Sequence, residues 1–221
     1  MIFSLKFKKL IKTCYVIAVD GPAASGKGTL SRRLAEHFNY NYLDTGSLYR
    51  SVAAKVLREG EDPNVSARCE FIAQNLDEKD LTNPKLRDEK TGQVASIISA
   101  HPAVRAALLQ YQRKFSQLKP GAVLDGRDIG TIVIPKAQAK LYLEASLATR
   151  AQRRSKELQL RGVESIESHV LQEMKDRDTR DSSRAVAPLR PADDALIIDT
   201  TDLSPDEVFQ KALLYVEARM P

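Results

Sequence analysis

The stretch VIAVDGPAASGKGTL, residues 16–30, decides how the chain is read. Residues 15–19, YVIAV, form a continuous apolar run, the mark of a strand buried on both faces. After the loop, Leu30, Leu34 and Phe38 recur at helical spacing. Between strand and helix, the glycine and lysine spacing from Gly21 through Pro22, Ala23, Ala24 and Ser25 to Gly26 and Lys27 is that of a phosphate-binding loop. In that order, several backbone N–H groups and the helix N-terminus point at one spot. Lys27 adds a point charge for the outer phosphates. The residue after the lysine is usually Ser or Thr, to hold magnesium; here it is Gly28, and the hydroxyl comes one place late, on Thr29. A protein that clamps magnesium through that hydroxyl would suffer from glycine there. One that leaves the ion mainly to phosphates and water would not, and magnesium often keeps several waters.

Outward from this loop the signals alternate. Strands are expected at 40–44, 121–125, 139–145 and 195–199. Helices are expected at 27–38, 47–59, 65–76, 93–117 with a break at His101-Pro102, 146–160 and 165–183. The last helix opens with a capping box, Ser204 as cap, Pro205 at the first position and Glu207 at the third. Residues 76–92 are polar and weakly patterned and read as an excursion from the core. Five short strands separated by helices imply an α/β fold, a five-stranded parallel sheet with helices on both faces.

Composition fits a soluble globular chain, and no apolar run approaches the ~20 residues of a membrane span. Cys14 and Cys69 have no metal-ligand spacing, which favours a reduced, cytoplasmic chain. The net charge of +5 suits an anionic ligand, nucleic acid or an acidic surface. Residues 1–14 are a basic extension without the apolar stretch and cleavage site of a signal peptide.

The Gly-Lys-Gly-Thr ending resembles the loops of nucleoside monophosphate kinases, and no Asn-Lys-x-Asp guanine signature is present. A kinase needs an acceptor site. Asp44, Thr45, Ser47 and Arg50 stand at a strand-to-helix turn on the sheet edge that carries the phosphate loop, where ligands collect in open α/β sheets. Asp125, Arg127 and Asp128 follow another strand. Arg150, Arg153 and Arg154 share one helix face, as do Arg177, Arg180 and Arg184, with Asp181 among them. A triphosphate pressed on a monophosphate brings roughly six negative charges together, and guanidinium groups with magnesium can neutralise them. There is no His-Arg-Asp catalytic loop, and a phosphate acceptor needs no carboxylate base.

The segments DGPAASGKGT, LDTGSLYR, VRAALLQYQR, LDGRDIGT and RDTRDSSRAVAPLRPADDA together resemble the bacterial cytidylate kinase family. The resemblance implies a three-layer P-loop kinase core over 15–221, with an acceptor-binding insert near 61–118 and a lid near 154–165. It implies γ-phosphoryl transfer from ATP to CMP or dCMP with Mg2+, in pyrimidine nucleotide metabolism. Residues 21–29 would take the ATP phosphates, with Thr29 the one candidate protein ligand of the metal. Thr45 would lie near the acceptor, Arg50, Arg127 and Arg184 on its phosphate, and Arg177 and Asp181 by its ribose. Ser96, Arg105 and Asp128 would read cytosine, with Asp125 beside them. Lys27, Arg127, Arg150, Arg153 and Arg184 would be the catalytic cations. Many members carry β-strands in the insert, but residues 76–92 are too short and polar for a full set. A monomer with neither nucleic-acid nor membrane partner is expected. Two other readings stay open: a kinase for UMP or another small phosphate acceptor, and a P-loop module that binds RNA. The latter would need exposed aromatics interleaved with basic residues, and tryptophan is absent.

Overall fold

The computed structural model describes residues 14–220. The extension expected at 1–14 therefore lies, Cys14 apart, outside the described residues. Five strands, β1 (Tyr15–Asp20), β2 (Asn41–Asp44), β3 (Gly121–Gly126), β4 (Ala139–Glu144) and β5 (Leu196–Asp199), form one sheet in the order β2-β3-β1-β4-β5. All neighbours are parallel. The chain first builds to one side of β1, then crosses to the other, so β1 sits at the switch point where α/β sheets hold ligands. The register brings Asp20 level with Gly126, and Asp44 level with Asp125, at the carboxyl edge.

Alternation along the strands feeds two cores. Val16 and Ala18 of β1 face one side, with Leu43, Ala122 and Leu124. There they meet α2 (Thr45–Glu59), α3 (Ser66–Gln74), α5 (Glu89–Ile98) and α6 (Pro102–Phe115). Ile17 and Val19 face the other side, with Leu141 and Leu143, against α1 (Lys27–Phe38) and α9 (Pro205–Glu217). A third, small cluster of Ala151, Leu158, Val170 and Met174 joins α7 (Leu147–Leu160) to α8 (Glu167–Ser183). Among the described residues no helix is long and apolar enough to cross a membrane.

Several elements differ from expectation for local reasons. The second helix starts at Thr45, because Asp44 at the end of β2 caps it by accepting from the Ser47 N–H at 3.1 Å. Residues 76–92 are better built than their polarity suggests. They hold α4 (Glu78–Leu81), opened by a capping box between Asp77 and Asp80, then a 3-10 turn at Pro84–Arg87 and the start of α5. Asp80 is buried and pairs with Lys55 at 2.8 Å and Arg58 at 3.1 Å, which tethers the segment to α2. No strand occurs among residues 61–118. After β3 the chain makes a π-type turn at Ile129–Val133 that apolar periodicity did not signal.

Removing one partner from a buried ion pair strands the other charge. Asp80→Ala is therefore expected to lower unfolding free energy by about 2–3 kcal/mol, less than a fully enclosed pair because Arg58 reaches solvent. Urea unfolding measures it, and an unchanged midpoint would show that the tether contributes nothing.

Candidate active site

A cleft of about 530 Å³ opens at the carboxyl edge of the sheet. Its floor is the loop after β1. Gly21 has φ +152, and a methyl group there would lie 2.2 Å from the Leu143 carbonyl oxygen, so the loop can leave the sheet at this point only with glycine. Gly26, at φ +90, caps α1 with its backbone alone. Ala23, Ala24, Gly26, Lys27, Gly28 and Thr29 line the cleft. Gly21, Pro22 and Ser25 lie beneath that surface. The Pro22 carbonyl accepts from Lys27 Nζ at 3.0 Å, and the Ser25 carbonyl accepts from Thr200 Oγ1 at 3.1 Å. Burial, with Arg127 nearby, pushes the Lys27 ammonium down to about 7, against the pull of Asp125 and Asp44.

The opposite wall is basic. One buried carboxylate organises it. Asp181 of α8 accepts from Arg127 Nε at 2.9 Å, from Arg184 Nη2, and from Ser96 Oγ of α5 at 3.2 Å. Arg177 Nε stands 4.0 Å away, within ion-pair range but without a hydrogen bond. Burial would raise the Asp181 carboxyl, but Arg127, Arg184 and Arg177 override it and hold it well below the usual carboxylate range. The Nε groups of Arg177 and Arg184 are buried without a hydrogen-bond partner among the described residues, so the wall retains unused donors.

Two further pairs complete the cleft. Arg105 of α6 donates to Asp128 and to the Ser99 carbonyl at 3.4 Å, with both residues of the pair buried. Burial raises the Asp128 carboxyl despite Arg105 and Arg184. Arg50 of α2 donates to Asp44. Thr45 donates to the Asp125 carbonyl at 2.7 Å, and Tyr42 donates to the Asp125 carboxylate at 2.7 Å. Burial, then Asp44, push the Asp125 carboxyl up to about 6. The cleft thus brings together Lys27, Thr29, Thr45, Arg50, Ser96, Arg105, Asp125, Arg127, Asp128, Arg177, Asp181 and Arg184. Two residues singled out with them do not line it: Ser47 donates to the Asp44 carbonyl at 2.5 Å, and Arg180 donates to Gln93 Oε1 at 2.6 Å.

Two expected catalytic cations, Arg150 and Arg153, do not reach the cleft wall. Arg150 is buried, pairs with Asp178 of α8 at 2.7 Å, and donates to the Ala145 and Ala23 carbonyls at 3.0 and 3.4 Å. Arg153 grips Thr200, donating to its hydroxyl at 2.9 Å and its carbonyl at 2.6 Å. These two side chains hold the loops beneath the cleft. Arg154 does line it, held by Glu89 of α5 and by Glu157 at 2.8 Å. Arg32 and Tyr42 also line the cleft and were not singled out from the sequence. Spacing could have found both: Arg32 is four residues beyond Gly28 on α1, and Tyr42 is two before Asp44 on β2.

Asp181 ties its stability contribution to pH with a definite sign. Its folded-state acidity is stronger than the ordinary value of 3.8, so its contribution is complete above that value and lost as pH falls below it. Asp181→Asn is expected to lower the unfolding midpoint at pH 7, with the gap to the unsubstituted protein narrowing as pH falls below about 4, where Asp181 in the unfolded chain takes up a proton before it does in the fold. A gap that stayed constant on acidification would remove the carboxylate charge as its cause.

The sequence model described as cytidylate kinase matches residues 17–218. The cytidylate kinase of Paramagnetospirillum magneticum is 52% identical over 201 residues, covering 90% of this chain and 95% of its own. That of Xanthobacter autotrophicus is 51% identical over 204 residues, covering 92% and 98%. Among solved structures, an uncharacterized protein from Eubacterium ventriosum superposes with a TM-score of 0.53 at 19% identity, covering 93% of this chain and 99% of that one. A sugar kinase from Janibacter gives 0.50 at 13% identity, covering 92% and 95%. Those two likenesses concern the fold alone.

Proposed function

The chain belongs to the cytidylate kinase family, and we infer that its cleft transfers the γ-phosphoryl group of ATP to CMP or dCMP, giving ADP and CDP or dCDP. The observation that carries this reading is one cleft in which Lys27 and the start of α1 share space with Arg50, Arg105, Arg127, Arg177 and Arg184. Residues 21–29 cradle the donor phosphates, with Lys27 on the outer ones. Arg50, Arg127 and Arg184 take the acceptor phosphate, and Arg177 and Asp181 border its ribose. Thr45 and Asp125 lie beside the acceptor, linked by their own hydrogen bond. An acceptor phosphate is already an anionic nucleophile near neutral pH, so alignment and charge stabilisation suffice and no general base is needed.

Thr29 and Asp125 are the side chains fitted to hold Mg2+, directly or through water. Asp125 Oδ2 lies 3.6 Å from where a side chain at Gly28 would begin, close to the place of the hydroxyl usual in such loops. The ion would neutralise charge between the donor phosphates. Arg150 and Arg153 reach phosphate on this reading only if α7 moves, exchanging Asp178 and Thr200 for the nucleotide. Such a motion fits residues 154–165, the end of α7 and its link to α8, as the lid, and 61–118 as an all-helical acceptor-binding insert. We take the protein to act as a cytoplasmic monomer, with no nucleic-acid or membrane partner.

Base choice follows from donor and acceptor chemistry. Cytosine offers an N4 amine beside the N3 and O2 acceptors. Asp128 can accept from N4, and Arg105 can donate to the acceptors. Without ligand these two side chains satisfy each other, so cytosine replaces an existing pair. Uracil would set a carbonyl against the Asp128 carboxylate, and leaving those groups unpaired costs roughly 1–3 kcal/mol. ADP release with CMP, dCMP, UMP and AMP tests the assignment. CMP and dCMP should stimulate it most, and stimulation by none of the four would overturn the reading. Asp128→Asn is expected to cut the CMP-over-UMP preference by about tenfold. An unchanged ratio would remove Asp128 from base reading.

A further inference from the structure

Asp20 is the last residue of β1 and directly precedes the phosphate loop. It is 4% exposed and does not line the cleft. No cationic side chain pairs with it among the described residues. Its two carboxylate oxygens instead accept from two backbone N–H groups across the sheet edge, Oδ1 from Ile129 and Oδ2 from Gly130, both at 2.8 Å. These are the first N–H groups of the π-type turn, which its own ladder leaves unpaired. That ladder begins at the Asp128 carbonyl, which accepts from the Ile132 and Val133 N–H groups at 2.9 and 3.1 Å.

We propose that Asp20 is a positioning residue for the acceptor: from the edge of the donor loop, its carboxylate fixes the turn that carries Arg127 and Asp128. The inference rests on the reading of Asp128 given above. The geometry is that of a helix cap supplied from another strand. Both oxygens are used, so the orientation of the turn is set at two points rather than one. The register makes this reach possible, because Asp20 lies level with Gly126, the last residue before Arg127. The far end of the turn has its own supports: Arg113 donates to the Val133 and Ile132 carbonyls at 3.0 and 3.3 Å, and Ile129 and Val133 pack into the core. The near end, at Ile129 and Gly130, is where Asp20 holds it, with Gly130 close over Lys140, 3.2 Å from Cδ to a notional side chain. Burial pushes the Asp20 carboxyl up to about 7, and the Gly130 and Ile129 N–H groups oppose that rise. A buried carboxylate behind the cleft with no cation paired to it is costly to retain for packing alone.

An amide at this position keeps size but accepts at only one atom, and its NH2 would face the second N–H. Asp20→Asn is assayed for KM and kcat with ATP, CMP and UMP. The KM for CMP should rise about tenfold and the CMP-over-UMP ratio of kcat/KM should fall by a similar factor, while the KM for ATP stays within about twofold. Asp20→Glu, which keeps both acceptor oxygens, should recover part of the selectivity. An unchanged CMP-over-UMP ratio, or a KM for ATP that rises as much as that for CMP, would overturn the proposal. A merely structural role would lower stability without moving that ratio. If Asp20→Asn does not fold, amide exchange in the unsubstituted protein decides. The Ile129 and Gly130 N–H protons should exchange far more slowly than solvent-exposed ones, and exchange at the open rate would sink the clamp. Should Asp128→Asn leave base preference untouched, the acceptor reading itself fails; should Asp128→Asn narrow it while Asp20→Asn does not, only the role of Asp20 falls.

Discussion

Three guanidinium groups cannot be held together in a partly dry cleft without an opposing charge, and Asp181 supplies it. Arg127 comes from the loop after β3, Arg177 and Arg184 from α8 and its end, and all three gather on one carboxylate that is 1% exposed. At such burial an unpaired charge costs several kcal/mol, so the arrangement stands or falls as a unit. Ser96 joins it from α5, which links the helical segment 61–118 to the same point. Much of the remaining architecture delivers these groups. The α7–α8 cluster sets the height of α8, and the register of β3 against β1 sets where Arg127 emerges.

The phosphate loop is held from behind by a second set of contacts. Thr200, just past β5, donates to the Ser25 carbonyl and is itself gripped by Arg153. Arg150 spans from the Ala23 carbonyl to Asp178. The loop is therefore tied to α7 and, through Asp178, to the helix that bears Asp181. A displacement of α7 cannot leave either wall of the cleft untouched.

Much of this was legible in the sequence, for physical reasons that differ by element. YVIAV is apolar without interruption because β1 is covered by helices on both faces, and Ser204 with Glu207 forms the capping box its spacing implied. Thr45, Arg50, Asp125, Arg127 and Asp128 were recoverable because they follow strands, and Arg177, Asp181 and Arg184 because they lie together on one helix, whereas Ser96 and Arg105 came from the family resemblance alone. Other features were not. Residues 76–92 looked loose because their order comes from polar contacts, Asp77 with Asp80 and Asp80 with Lys55, which apolar periodicity does not register. Arg150 and Arg153 were expected among phosphates from the family resemblance and a shared helix face, neither of which records what the side chains meet in this fold. Asp20 directly precedes a motif defined by its glycines and lysine, and that pattern assigns it no role. Its partners are backbone amides 109 and 110 residues away, and no local pattern records them.

Every acid that lines the cleft already has a basic or hydroxyl companion: Asp44 with Arg50, Asp88 with Arg161, Asp125 with Tyr42, Asp128 with Arg105, Glu157 with Arg154, Asp181 with its arginines. On the proposed reading a nucleotide arrives as a rival to these companions, and its grip reflects only the margin between two sets of partners. When the diphosphate departs, the cations fall back on neighbours that were waiting for them. A pocket built in this way favours rapid release over tenacious hold, as suits a catalyst that must empty itself to work again.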